Sequence, residues 1–115
     1  MTSYSEPFLG KSVVVTIDRP LGTKHPRHNY VYPINYGYIE GIEAPDGGDL
    51  DAYILGETEP MDEFKGTCIA IIHRTNDDDD KLIVCSPDKT FTDEEIRSAT
   101  HFQEQWFQSE ILRNN

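Results

Sequence analysis

The sequence is short of positive charge, of sulfur and of long apolar runs. Ten Lys and Arg stand against 21 Asp and Glu, a formal net charge of −11. A binder of nucleic-acid backbones needs a cationic surface, and an anionic membrane would repel this one, so neither is expected as a partner. No apolar stretch approaches the ~20 residues of a membrane helix, and MTSYSEPFLG lacks a signal-peptide core. A cytoplasmic protein is the expectation. There are two cysteines, Cys68 and Cys85, each inside an apolar segment (TCIAII and KLIVCS), and no CxxC pair. That pattern suits small buried strand residues better than a disulfide or a zinc site. At 115 residues with no internal repeat, one domain spanning 1–115 around a single core is expected.

What is present reads mostly as strands. Gly10 to Asp18 (GKSVVVTID) is β-branched and stops at Arg19-Pro20. Residues 20 to 35 carry Pro20, Gly22, Pro26 and Pro33 and form a long irregular segment, a feature often tied to function in small domains. Further strands are expected over Tyr36 to Ile42, Leu50 to Leu55, Thr67 to His73 and Lys81 to Cys85, with an acidic connector over 56 to 63. The period then changes. Thr92 and Glu95 have capping-box spacing, and Ile96, Ala99, Phe102, Trp106, Phe107 and Ile111 recur at helical intervals. The expectation is an amphipathic helix of about five turns, packed on a small, twisted, five-stranded antiparallel barrel.

Three clusters could carry chemistry. In PDGGDLDAYILG, Asp46, Asp49 and Asp51 fall within six positions at the mouth of a strand, and period-two alternation puts Asp49 and Asp51 on one face. Either a solvated polar turn or a hard-cation site such as Mg²⁺ accounts for them. Asp77 to Asp80 are four adjacent carboxylates before Lys81, read equally as a solvated run or as half of a shared metal site. Lys24-His25-Pro26-Arg27-His28, with Arg19 upstream, is a basic concentration in an acidic chain. Such bases suit a phosphate oxyanion, or simply neutralise the acidic loops. The spacing of His25 and His28 across a proline fits no common zinc pattern, and His73 and His101 read as packed or surface residues.

Tyr32-Pro-Ile-Asn-Tyr-Gly-Tyr-Ile39, followed by the Asp46 cluster, resembles the YPxNYGYI…DGDPxDxL region of soluble inorganic pyrophosphatases. Weaker similarity covers Thr16 to Pro20, Asp79-Asp-Lys81 and His101 to Glu104. The resemblance implies an OB-like barrel of five strands with helices, and Mg²⁺-dependent hydrolysis of pyrophosphate, Mn²⁺ being the alternative ion. Carried over residue by residue, it makes Asp46 and Asp51 metal ligands and Tyr36 a phosphate contact. Asp79 and Lys81 match the family's D-x-K, a metal ligand beside a phosphate-region lysine. Asp18 falls where the family has an acid near its site. Lys24 and Arg27 stand in for its substrate-binding bases.

The pattern also departs from the family's. The water-activating aspartate falls on Gly48, with Asp49 beside it as substitute. A further metal aspartate falls on Arg74, with Asp77 as substitute. The terminal Tyr-Lys pair is Trp106-Phe107. The catalytic set implied is therefore Asp46, Asp49, Asp51 and Tyr36. The substrate-binding set is Lys24, Arg27, Tyr36 and Lys81, and the metal set Asp46, Asp51, Asp77 and Asp79. The ligand is pyrophosphate or another phosphorylated small molecule, and a homo-oligomer is left open. The alternative expectation is a non-catalytic relative that binds metal and a phosphorylated ligand.

Overall fold

Alternation of apolar and polar residues writes the barrel. A computed structural model describes residues 5–43, 48–76 and 79–113. On β1 (Ser12–Arg19), Val13, Val15 and Ile17 turn inward while Ser12, Val14 and Asp18 face out. β2 (Tyr36–Glu43), β3 (Asp49–Ile54), β4 (Glu63–Arg74) and β5 (Asp80–Cys85) follow. In the sheet order β1-β2-β3-β5-β4, with β4 returning to β1, these five close into the expected barrel. Its interior is filled by the inward side chains of all five strands, among them Val15, Ile39, Leu50, Ile71 and Leu82. Truncating a fully buried member such as Leu50 or Leu82 to Ala removes ~2–5 kcal/mol of stability.

The barrel is not wholly antiparallel, however. β3 and β5 run parallel, with Asp51 opposite Lys81 and Tyr53 opposite Ile83. A parallel pair needs a crossover, and the long antiparallel strand β4 supplies it. β4 also begins at Glu63, inside the expected connector. One of its edges pairs with β1 over Glu63 to Thr67 and, further along, with a sixth strand.

That sixth strand corrects the expected five-turn helix. α1 (Asp93–Glu104) is 12 residues long, and β6 (Ser109–Arg113) pairs antiparallel with β4 beyond the reach of β1. Ile111 therefore lies on a strand, opposite Ile72, and Trp106 and Phe107 lie in the turn between. The start of α1 is as expected: the Glu95 amide donates to Thr92 Oγ1 at 3.1 Å and the Thr92 amide to Glu95 Oε1 at 2.8 Å. Among the described residues no helix is long and apolar enough to cross a membrane.

A second core lies between barrel and helix. Tyr53, Leu55, Ile72 and Ile83 point outward from the barrel and meet Ile96 of α1, with Phe102 and Ala99 packed beside them. β5 is consequently buried on both faces, which explains its unbroken apolar run. Cys68 and Cys85 are buried and free, as expected of strand residues.

Candidate active site

The outer face of β3 and β5, at the open margin of this second core, gathers the charged groups. Because Asp51 and Lys81 are register partners, and Asp79 stands two residues before Lys81, all three share one face. Lys81 Nζ donates to Asp51 Oδ2 at 2.5 Å and to Asp79 Oδ2 at 2.8 Å. Burial works against the Lys81 charge, but the two carboxylates outweigh it and its pKa ends above the ordinary lysine value. Burial raises Asp79, opposed by Lys81 and Arg74.

Arg74, from the end of β4, forms the other ionic unit. Its Nε donates to Glu104 Oε1 at 3.0 Å and its Nη2 to Glu104 Oε2 at 2.7 Å, a two-pronged pair with both side chains buried. Nη1 reaches Asp79 Oδ2 at 3.5 Å, and the guanidinium carbon lies 3.6 Å from the centre of the Phe107 ring. From Glu104 a chain of hydrogen bonds runs outward. Tyr53 donates to Glu104 Oε2 at 2.6 Å, Gln103 Nε2 donates to the Tyr53 hydroxyl at 2.8 Å, and Gln103 Oε1 accepts from Tyr32 and Tyr30 at 3.0 and 3.2 Å.

Lys81, Arg74, Gln103, Tyr30 and Tyr32 border a cavity of about 540 Å³, within the ordinary range for small-molecule sites. Asp51, Asp79, Glu104 and Tyr53 hold them from behind. The cavity lining also includes Tyr36, Trp106 and Phe107, and Asp18, Arg19, His25 and His28 come from β1 and the long loop. Two sequence features place that loop. Asp18 is an extra residue in the β1–β2 ladder, since Ile17 pairs with Gly37 and Arg19 with Tyr36. Such a bulge bends a strand and redirects its side chains. The close β1–β2 approach needs Gly37, where a Cβ would lie 2.0 Å from the Thr16 carbonyl oxygen. Asn35, fully buried, then accepts the Leu21 and Met61 amides and donates to the Glu59 carbonyl, fastening loop and connector together.

The expected site residues fare unequally. Tyr36 and Lys81 meet at the cavity, with Lys81 Nζ 5.7 Å from the Tyr36 ring centre. Burial, the nearby Asp51 charge and a hydrogen bond to Asp51 hold the Tyr36 pKa well above 10. Asp51 and Asp79 converge on Lys81. Asp49 is exposed at the start of β3, but its charge and that of Asp51 add to the burial that raises Asp18, so the three carboxylates share one electrostatic neighbourhood. Lys24 and Arg27 are exposed and do not border the cavity. Asp46 and Asp77 lie outside the described residues. Sequence reasoning missed Glu104, Gln103 and Tyr53 as parts of the site: His101 to Glu104 matches the family only as helix, and Tyr53 lies in a run read as strand. Arg74, in the place of a family carboxylate, was the one signal available.

Among the described residues, no three His, Cys, Asp or Glu side chains converge as a metal cluster. Asp51 and Asp79, brought together at Lys81, offer the hard oxygen donors that Mg²⁺ accepts, since that ion commonly takes one or two carboxylates and keeps its waters. The donor chemistry fits, with Lys81 holding the same oxygens.

The family model for inorganic pyrophosphatase matches residues 11–111. The chain belongs to the inorganic pyrophosphatase family. It is thus a hydrolase of the pyrophosphatase class, and its solved relatives share the fold. The inorganic pyrophosphatase of Ehrlichia chaffeensis is 16% identical at a TM-score of 0.68, the match covering 89% of this chain and 85% of that one. That of Helicobacter pylori is 16% identical at 0.66, covering 90% and 85%. That of Thermus thermophilus is 16% identical at 0.64, covering 99% and 87%. No curated protein sequence matches. At such identity these likenesses speak for the pyrophosphatase fold alone.

Proposed function

We propose that the protein hydrolyses a phosphoanhydride, inorganic pyrophosphate first, with Mg²⁺ or Mn²⁺ held by Asp51 and Asp79. Asp46 on the family pattern, and Asp77 as substitute for the carboxylate whose place Arg74 takes, complete that ligand set. The observation that carries the reading is the convergence of Asp51 and Asp79 on Lys81, which borders the cavity together with Tyr36. A bound divalent ion supplies charge neutralisation at phosphoryl oxygens and lowers the pKa of a coordinated water. The chain's own groups do the rest. Lys81, kept protonated by its carboxylates, presents positive charge where phosphate charge develops. Tyr36, kept neutral by burial, donates a hydrogen bond. Asp18 and Asp49 are the carboxylates left to accept a proton from water, and burial raises Asp18 toward that task.

A second reading, a metal- and phosphate-binding relative without turnover, has specific support. Gly48 stands in place of the expected base, and Arg74 is locked to Glu104 where a metal carboxylate was expected. The deciding assay is phosphate release from pyrophosphate in Mg²⁺ or Mn²⁺, beside nucleotides and phosphate esters. The hydrolase reading expects release from pyrophosphate that stops in EDTA. Release from none, with Mg²⁺ and a phosphate analogue still binding in calorimetry, establishes the second reading instead.

A further inference from the structure

We infer that the cavity is built for a phosphoanhydride carrying a planar ring, a nucleoside diphosphate, with the ring on the Trp106 side and the phosphates toward Arg19 and Lys81. The inference deepens the hydrolase reading by naming its substrate class. It rests on that reading for the bond broken, not for binding.

The first observation is a terrace of rings. His28 and Tyr30 are 5.8 Å apart with planes 6° from parallel, His28 and Trp106 are 5.5 Å apart at 24°, and Tyr30 and Trp106 are 6.2 Å apart at 27°. Three rings with planes close to parallel and centres at the corners of a triangle are no column; they form a stepped platform whose exposed members are His28 and Trp106. Trp106 is 56% exposed, although it is the largest apolar side chain in the sequence and borders the cavity. The tyrosine hydroxyls are already committed to Gln103, so the ring faces are what these residues have to offer a ligand. Stacking a base on such a surface is sequence-tolerant and strong enough to decide affinity.

The second observation is a cation not consumed by the protein. Arg74 and Lys81 each hold carboxylates, whereas Arg19 bonds the Asp18 carbonyl at 3.3 Å and interacts with the Tyr32 hydroxyl. Among the described residues it has no carboxylate ion pair. Its charge acts on the neighbouring Asp18 carboxyl through space, but among the described residues no carboxylate pins its guanidinium. In a chain of net charge −11, such an Arg on the wall of a cavity marks a place for an anion. His25 stands beside it as a neutral donor. Its Nδ1 accepts the Arg27 and His28 amides at 3.0 and 3.1 Å, which leaves the ring proton on Nε2. Rings link the two poles in steps, from Lys81 over Tyr36, to Tyr32 at 5.6 Å and on to Tyr30 at 5.9 Å. Bare pyrophosphate would use the cations and leave the platform empty.

Trp106 is the sole tryptophan, so its fluorescence reports the platform directly. ADP, pyrophosphate and adenosine would be titrated in EDTA, where no turnover occurs, by fluorescence and calorimetry. ADP should quench Trp106 and bind at least about tenfold more tightly than pyrophosphate, or ~1.4 kcal/mol. By calorimetry, Trp106→Ala should lose that preference with pyrophosphate affinity unchanged. Trp106→Phe should keep most of it, which separates a lost ring from a damaged fold. Arg19→Gln should weaken ADP and pyrophosphate alike. Equal binding of ADP and pyrophosphate, or an undiminished preference in Trp106→Ala, overturns the inference. Phosphate release from pyrophosphate in Mg²⁺ is scored separately: release without ring preference sinks this inference alone, and ring preference without release from any substrate sinks the hydrolase reading alone.

Discussion

The two sides of the cavity are held by different physics. On the β5 side, Lys81 answers Asp51 and Asp79, and Arg74 answers Glu104 in a buried pair tied through Tyr53 to Gln103. On the loop side, His25, His28 and Trp106 meet through their rings, and Arg19 acts on Asp18 through space without an ion pair among the described residues. The first arrangement fixes geometry, because a charge buried without its partner is costly. The second keeps faces and charge available, because stacking commits little polar capacity. Mutations should therefore cost stability on the β5 side and ligand selectivity on the loop side.

The largest effect expected is that of Glu104→Ala. It removes the two-pronged partner of the buried Arg74, whose contact with Asp79 is long at 3.5 Å, and should lower stability by ~3–5 kcal/mol, read from the urea midpoint. A loss below ~1 kcal/mol would mean that the pair is solvated and the contrast false. Lys81→Met comes next. Asp51 and Asp79 keep 30% and 17% exposure, so water offsets part of the loss and ~1–3 kcal/mol is expected. The same variant should bind Mg²⁺ more tightly by calorimetry, since a competitor for both carboxylates is gone. Tyr53→Phe, which cuts the link between Gln103 and Glu104, should cost ~1–2 kcal/mol.

The smallest effect is one of pH. The folded pKa of Lys81 lies above its unfolded value near 10.5, so its contribution is complete below that pH and is lost as pH rises through the folded value. Urea midpoints measured at about pH 9 and about pH 11 should fall less in Lys81→Met than in the wild type. An equal fall would show that Lys81 gains nothing from its carboxylates.

How much of this was legible depended on whether local pattern or pairing decided it. β1 announces itself through Val13, Val15 and Ile17, and the capping box at Thr92 marks the start of α1. The strand β6 did not announce itself. Five residues show too little alternation, and Ile111 continues the helical stripe by chance. The parallel pairing of β3 with β5, which creates the Asp51–Lys81 contact, is a property of topology that no local stretch encodes. The tyrosine motif was legible as a site, but one of its members works differently: Asn35 fastens the loop rather than touching the cavity. Glu104 reads as a surface helix residue until Arg74 is brought against it.

The central claim is that the Asp51–Lys81–Asp79 group is the working centre of the molecule. Asp51→Asn tests it most directly, with Mg²⁺ binding measured by calorimetry and phosphate release from pyrophosphate measured in parallel. Loss of both in Asp51→Asn, against a wild type that shows both, is the result expected. An Asp51→Asn protein that turns over pyrophosphate at the wild-type rate would contradict it.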